Sequence, residues 1–288
     1  MKLNDVRDFL RESIKKESEV FFGLKDIKWV DQVTNNWFDD QNNYDRRWEV
    51  INRIIPKVGR ILDMAAGCGT FVLFGLQNGY DVWGIEREEW KREYFRRKVL
   101  ASNYLAKYLN RVVAGVGEAL PFQDESFDLV TTYQTLEHVQ DVNMCIQELL
   151  RVLKPGGILY IKAPDYNCFF EPHYRVPFLP KMNKKLASVY LKFIGKPLLG
   201  LQTLQWVTEK KVVKSLRMSK YNVNIQRVNL YHSIWRQEKI RELLPRSFRN
   251  FYVIRFLDFV YQLKLKIAGL VKIGREEKNI DLWVTKTV

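Results

Sequence analysis

Residues 61–70 read Ile61-Leu62-Asp63-Met64-Ala65-Ala66-Gly67-Cys68-Gly69-Thr70. An apolar run passes into a cluster of small residues and then into a helical pattern. Small residues let the backbone approach a ligand closely, and a helix N-terminus offers free N–H groups. The spacing is D-x-A-x-G-x-G rather than the G-x-G-x-x-G of dinucleotide-binding folds.

Further apolar runs lie outward from this turn at 80–86 (YDVWGIE), 111–116 (RVVAGV), 127–133 (FDLVTTY) and 157–163 (GILYIKA). Helix-like patterns separate them over about 70–78, 88–108, 136–139 and 141–153. Near-continuous apolar strands separated by helices predict a parallel sheet covered on both faces. The expected fold is α/β: a doubly wound, mostly parallel seven-stranded sheet with N-terminal helices and helical insertions after strands five and six. Ligands of such sheets sit beyond the carboxyl ends of the strands.

Four segments follow. Residues 1–58 form an N-terminal helical segment, with helices over 3–22 and 44–55 and a polar, turn-rich stretch between them. Residues 59–165 are the α/β core. Residues 166–207 break the rhythm with prolines and aromatics and read as an insertion. Residues 208–288 complete the core, with a helix over 208–221, strands over 222–231 and 280–288, and a second helical insertion at about 233–274.

The chain has 288 residues, 47 Lys and Arg against 33 Asp and Glu, and a net charge of +14. At 47% hydrophobic and 28% charged it has globular composition, which excludes disorder and fibrous architecture. Three cysteines, Cys68, Cys145 and Cys168, are too few and too scattered for a disulfide framework or a cysteine zinc site. No metal is called for. The N-terminus lacks an apolar leader and no uncharged stretch spans a membrane, so the expected location is cytoplasmic, with peripheral membrane binding as a variant.

Other features stand at the ends of successive strands. Glu86 lies 23 residues after Asp63, where a carboxylate can accept ribose hydroxyls. Gly117-Glu118-Ala119-Leu120-Pro121-Phe122 follows the third strand. Thr131-Thr132-Tyr133-Gln134-Thr135-Leu136-Glu137-His138-Val139 follows the fourth, and Leu149-Leu150-Arg151-Val152-Leu153-Lys154-Pro155-Gly156-Gly157 leads into the fifth. Together these motifs make residues 59–165 resemble the class I S-adenosylmethionine-dependent methyltransferases. The resemblance implies that S-adenosyl-L-methionine is the cofactor. Asp63, Ala65, Gly67 and Gly69 would form its loop, with Ala65 and Gly67 against the methionine part. Glu86 would hold the ribose, Gly117 and Glu118 would border the adenine, and Tyr133 and Gln134 would line the methionine end. Ala65 stands where the usual loop has its first glycine. Val116 stands where relatives often carry an aspartate facing the adenine.

Methyl transfer is an in-line displacement, and a hydroxyl acceptor profits from a general base. The candidate catalytic residues are His138 after the fourth strand, His173 in the insertion and Asp165 at the end of the fifth strand. Each also has a plainer reading, as a packed or loop histidine or, for Asp165, an Asx turn. His232 is the third histidine. Residues 172–208 carry Arg175, Lys181, Lys184, Lys185, Lys192 and Lys196 with no acidic residue, among many aliphatics and aromatics. Residues 251–273 are similarly mixed. A helical cap, a helix in an anionic membrane interface and a protein–protein surface all fit. The expected activity is O-directed methylation of a small-molecule or glycan acceptor, a lipid-linked sugar or an amphipathic metabolite. An RNA methyltransferase and a non-catalytic binding protein are the alternatives. The scattered basic residues and the lack of an RNA-binding module argue against nucleic acid.

Overall fold

A computed structural model describes residues 2–41, 47–54, 59–227, 241, 250, 252–257, 259–260 and 279–287. Strands β1 (Arg60–Met64), β2 (Asp81–Glu86), β3 (Val112–Ala114), β4 (Phe127–Tyr133), β5 (Leu153–Pro164), β8 (Val223–Arg227) and β9 (Asn279–Lys286) form one sheet in the order β3-β2-β1-β4-β5-β9-β8. Strands β1 to β5 pair in parallel, and β9 runs antiparallel to both its neighbours. The α/β seven-stranded expectation therefore holds. The strand order reverses at β1, between β2 and β4, which opens a crevice beyond their carboxyl ends.

The apolar runs are continuous because both faces are covered. Leu62, Met64, Val130, Leu159 and Ile161 pack into one core with α6 (Val142–Val152) and α9 (Glu209–Arg217). Ile61, Leu129 and Tyr160 pack into the opposite core with α4 (Thr70–Gln77) and α5 (Glu89–Ala101). The Pro155-Gly156-Gly157 turn is absorbed into β5: Phe127 faces Leu153 while Leu129 already faces Ile158, with Gly156 at φ +77° inside the irregularity.

The N-terminal segment is more helical than expected. Helix α1 (Leu3–Phe22) buries Val6, Leu10, Ile14 and Ser18 and ends at Gly23, φ +62°. Its closing bonds, Gly23 N–H to Glu19 O and Leu24 N–H to Ser18 O, are a glycine-terminated cap. Residues 27–38, read as polar turn, form α2 (Ile27–Phe38). Asp26 caps it by accepting from Trp29 N, and Val30 and Thr34 are buried. Trp29, Val33, Trp37 and Phe38 add half-buried apolar packing, and Asn35 accepts from Arg7 of α1 (2.6 Å), so polar composition concealed an amphipathic helix. Helix α3 spans Arg47–Ile54. In the opposite direction, residues 136–139 form a turn rather than a helix. The 88–108 pattern is α5 followed by a 3-10 turn over Ala106–Asn110.

Residues 166–207 form a lobe with its own small core. It contains the hairpin β6 (Phe170–Glu171) and β7 (Val176–Pro177), α7 (Lys184–Phe193) and α8 (Leu199–Thr203). Tyr174, Phe178, Ala187, Leu191, Leu201 and Leu204 are its buried residues. The Tyr174 hydroxyl donates to Pro197 O (2.9 Å) and accepts from Leu201 N (2.7 Å). Most of the second expected insertion, 233–274, lies outside the described residues, as does His232.

Candidate active site

The turn after β1 has the backbone its small residues allow. Ala65, Gly67 and Gly69 take φ of +60°, +57° and +78°. The two glycines differ. A Cβ on Gly67 would meet nothing within 4 Å, so this face of the loop is open. A Cβ on Gly69 would strike the ring of Phe95, so Gly69 serves helix packing. Glu86, at the tip of β2, is 5% exposed. Its Oε2 accepts from Gly67 N (2.8 Å) and its Oε1 from Glu88 N (2.8 Å). The carboxylate is thus fixed against the loop.

Asp63 is engaged elsewhere. It is buried and receives Arg47 Nη2 at 2.5 Å. Burial pushes its carboxyl pKa up and the guanidinium opposes that rise. Arg47 also donates to Thr131 Oγ1 (3.0 Å) and lies over the rings of Phe71 and Tyr133, 4.1 and 4.8 Å from their centroids. Sequence reasoning missed Arg47, because nothing local marks a helical arginine as the partner of a strand aspartate. Among the Gly117–Phe122 residues, Gly117 is packed against Cys145 and Met64. Glu118 Oε1 accepts from Gln140 N (2.6 Å) and Asp141 N (3.2 Å), bracing the approach to α6. Gln134, at φ +52°, donates from Nε2 to Asn279 Oδ1 (3.2 Å).

Beyond β4 the two candidate histidines meet. His138 Nε2 lies 3.1 Å from His173 Nε2, with the rings edge to face. His173 Nδ1 lies 2.8 Å from Glu171 Oε1. That carboxylate also accepts from Tyr166 OH (3.1 Å) and from Tyr174 N (2.5 Å). A carboxylate can only accept, so Nδ1 carries the His173 proton and Nε2 presents its lone pair. Glu137, wholly buried, places Oε1 4.0 Å from His138 Nε2 and 3.8 Å from His173 Nε2. Burial above all, with the cationic fields of Lys91 and Arg87, pushes the His138 pKa well below its ordinary value. Phe22 from α1 packs on His173, 5.5 Å between centroids, so the N-terminal segment closes one wall. Asp165 directly follows β5, at the base of the cap. It is buried, and its Oδ1 accepts from Asn167 N (3.0 Å) as an Asx turn does. Glu137 lies in the quoted motif next to His138, and Glu171 two residues before His173, but only the fold turns them toward the imidazoles.

The residues at the loop fit S-adenosylmethionine: an open cradle at Gly67 faces a fixed carboxylate that has lone pairs to spare for ribose hydroxyls. Comparison with known proteins agrees. The methyltransferase-domain family model matches residues 62–161. A ubiquinone/menaquinone biosynthesis C-methyltransferase of Geotalea daltonii is 34% identical over 141 residues, covering 47% of this chain and 58% of that protein. A demethylmenaquinone methyltransferase of Clavibacter sepedonicus is 36% identical over 150 residues, covering 51% and 58%. The match thus spans about three fifths of the length of these curated relatives. Among solved structures, a Haemonchus contortus phosphoethanolamine N-methyltransferase 2 superposes with TM-score 0.53 at 15% identity, covering 98% of this chain and 60% of that one. That likeness is one of fold. Motifs, sheet order and relatives converge: the α/β core of this chain is a class I S-adenosylmethionine-dependent methyltransferase domain.

Proposed function

We propose that the protein transfers a methyl group from S-adenosylmethionine to a hydroxyl of an amphipathic acceptor. The observation that carries this reading is the Glu137–His138–His173 cluster, which joins the turn after β4 to the cap lobe. The loop at Ala65 and Gly67 would hold the methionine part, Glu86 the ribose, and Tyr133 and Gln134 would border the methionine end. When bound, the cofactor supplies an electrophilic methyl group on a sulfonium. The chain's own residues orient the acceptor, exclude water and activate its hydroxyl at the cluster. Phe22 and Tyr166 supply walls for this purpose.

The amphipathic acceptor is supported by two features. Relatives include proteins of quinone biosynthesis, named as C- or O-methyltransferases. On α7, Leu186, Val189 and Phe193 share one face and are 62%, 66% and 88% exposed, with Lys184, Lys185 and Lys192 on the same helix. Apolar side chains ringed by lysines suit an anionic lipid surface on which a lipophilic acceptor would dwell. Among the described residues no helix is long and apolar enough to cross a membrane. A glycan or lipid-linked sugar remains within the acceptor class tested.

The deciding experiment incubates the protein with methyl-labelled S-adenosylmethionine and panels of prenylated phenols, hydroquinones and lipid-linked sugars. Label in the acceptor is the expected result, lost in Gly67→Val, whose side chain fills the open face of the loop. Intact cofactor binding with no transfer to any hydroxyl would overturn the reading.

A further inference from the structure

Two imidazole nitrogens 3.1 Å apart require something positive between their lone pairs: a proton or a metal ion. The third atom of the cluster decides between them. The atoms His138 Nε2, His173 Nε2 and Glu137 Oε1 form a triangle with sides of 3.1, 3.8 and 4.0 Å. The point equidistant from its corners lies about 2.1 Å from each. First-row cations bind imidazole nitrogen and carboxylate oxygen at about 2.0–2.2 Å. Hydrogen bonding alone explains only the short side, since 3.8 and 4.0 Å are too long for it.

We propose that Glu137, His138 and His173 hold a divalent first-row transition cation of the zinc class. Two imidazoles and a carboxylate suit zinc, cobalt or iron, whereas magnesium and calcium favour all-oxygen sets. Glu171 supplies the outer carboxylate: its bond to His173 Nδ1 fixes the tautomer and aims Nε2 at the cation. Glu137 and Glu171 together bring two negative charges to a dication. Three protein donors leave a coordination position open, the arrangement of catalytic rather than structural sites. An acceptor hydroxyl bound there has a lowered pKa and releases its proton to water, which leaves the oxyanion that methyl transfer needs. The residues come from residues 137–138 after β4 and from the cap hairpin, so a reading of the chain alone, which placed no metal here, had no sight of the triangle.

This inference rests on the reading of the cluster as the place where the acceptor is activated, yet cation binding can be read without acceptor or methyl donor. Full-length protein, dialysed against chelator, is titrated with Co²⁺ and followed by visible absorption, then competed with Zn²⁺ by calorimetry. One tightly bound Co²⁺, displaced by Zn²⁺, is expected. Glu137→Gln and His173→Ala should lose at least tenfold in affinity, and Glu171→Gln about 10–100-fold as an outer partner does. Binding of S-adenosylhomocysteine at wild-type strength reports that each variant is folded. No stoichiometric Co²⁺ binding, or binding equal in wild type, Glu137→Gln and Glu171→Gln, overturns the proposal. Full transfer by metal-free protein likewise overturns it and leaves a direct proton relay through His138 and His173. Cobalt bound as described, with no hydroxyl methylated, keeps the cation and discards the acceptor reading.

Discussion

Around the end of β1, the residues that border the crevice come from two short stretches, 63–69 and 86–88, on adjacent parallel strands. Around His138, the cluster is assembled from residues 137–138, 166, 171 and 173, with Phe22 as a wall from α1. The first region is held by backbone: Glu86 binds two N–H groups and the loop takes its shape from small residues. The second is held by side chains, through a buried carboxylate serving a tyrosine, a histidine and a backbone N–H. A backbone-built site tolerates changes in its surroundings, whereas a side-chain network fails when one member is lost.

Arg47 is the exception that ties the backbone-built region to the N-terminal helices, and removing it should have the largest effect. Arg47→Met leaves Asp63 as a buried, uncompensated charge, at a cost of about 3–5 kcal/mol. Urea unfolding should show this, and Arg47→Met with Asp63→Asn should recover much of it. Equal stability of the single variant and wild type would break the comparison. Glu86→Ala comes next. It should weaken S-adenosylhomocysteine binding by about 1.5–3 kcal/mol by calorimetry, the value of hydrogen bonds to a charged group. Unchanged affinity in a folded variant would remove Glu86 from the cofactor site.

Tyr174→Phe probes the cap. It deletes the hydroxyl that joins Pro197 O to Leu201 N–H, and should cost about 1–3 kcal/mol because a buried donor and acceptor are stranded. Cofactor affinity should not move, since the cap has its own core. A parallel fall in affinity would show that the two regions are one unit. The smallest effect belongs to Ala65→Gly. Alanine at φ +60° carries about 1–2 kcal/mol of left-handed strain, and glycine's greater unfolded entropy offsets about 0.5–1. Thermal unfolding should show a gain of up to about 1 kcal/mol, with cofactor binding retained.

What could be read in the chain follows this division. The runs at 60–65, 80–86, 127–133 and 157–163 lie on strands because both faces of the sheet are covered, and a doubly covered strand must be apolar along its length. The pairing of Gly67 N–H with Glu86 follows from strand ends, where position along the chain fixes position in space. Helix α2 was concealed because only Val30 and Thr34 are fully buried and polar residues interrupt the half-buried Trp29, Val33, Trp37 and Phe38. A Cβ on Gly69 would meet Phe95, and one on Gly117 would meet Met64 and Cys145, side chains whose approach no local pattern reports.

The sequence by itself therefore determined the sheet and the order of elements along the chain, since these depend on periodicity and on turns of a few residues. Tertiary structure alone decided that Arg47 reaches Asp63, that Glu171 orients His173, and that His138, His173 and Glu137 converge on one point. Arg47 and Asp63 are 16 positions apart, His138 and His173 35, and Glu137 and His173 36, each pair on different parts of the fold. Their partners are chosen by the packing of helices and cap on the sheet, which composition and spacing leave open.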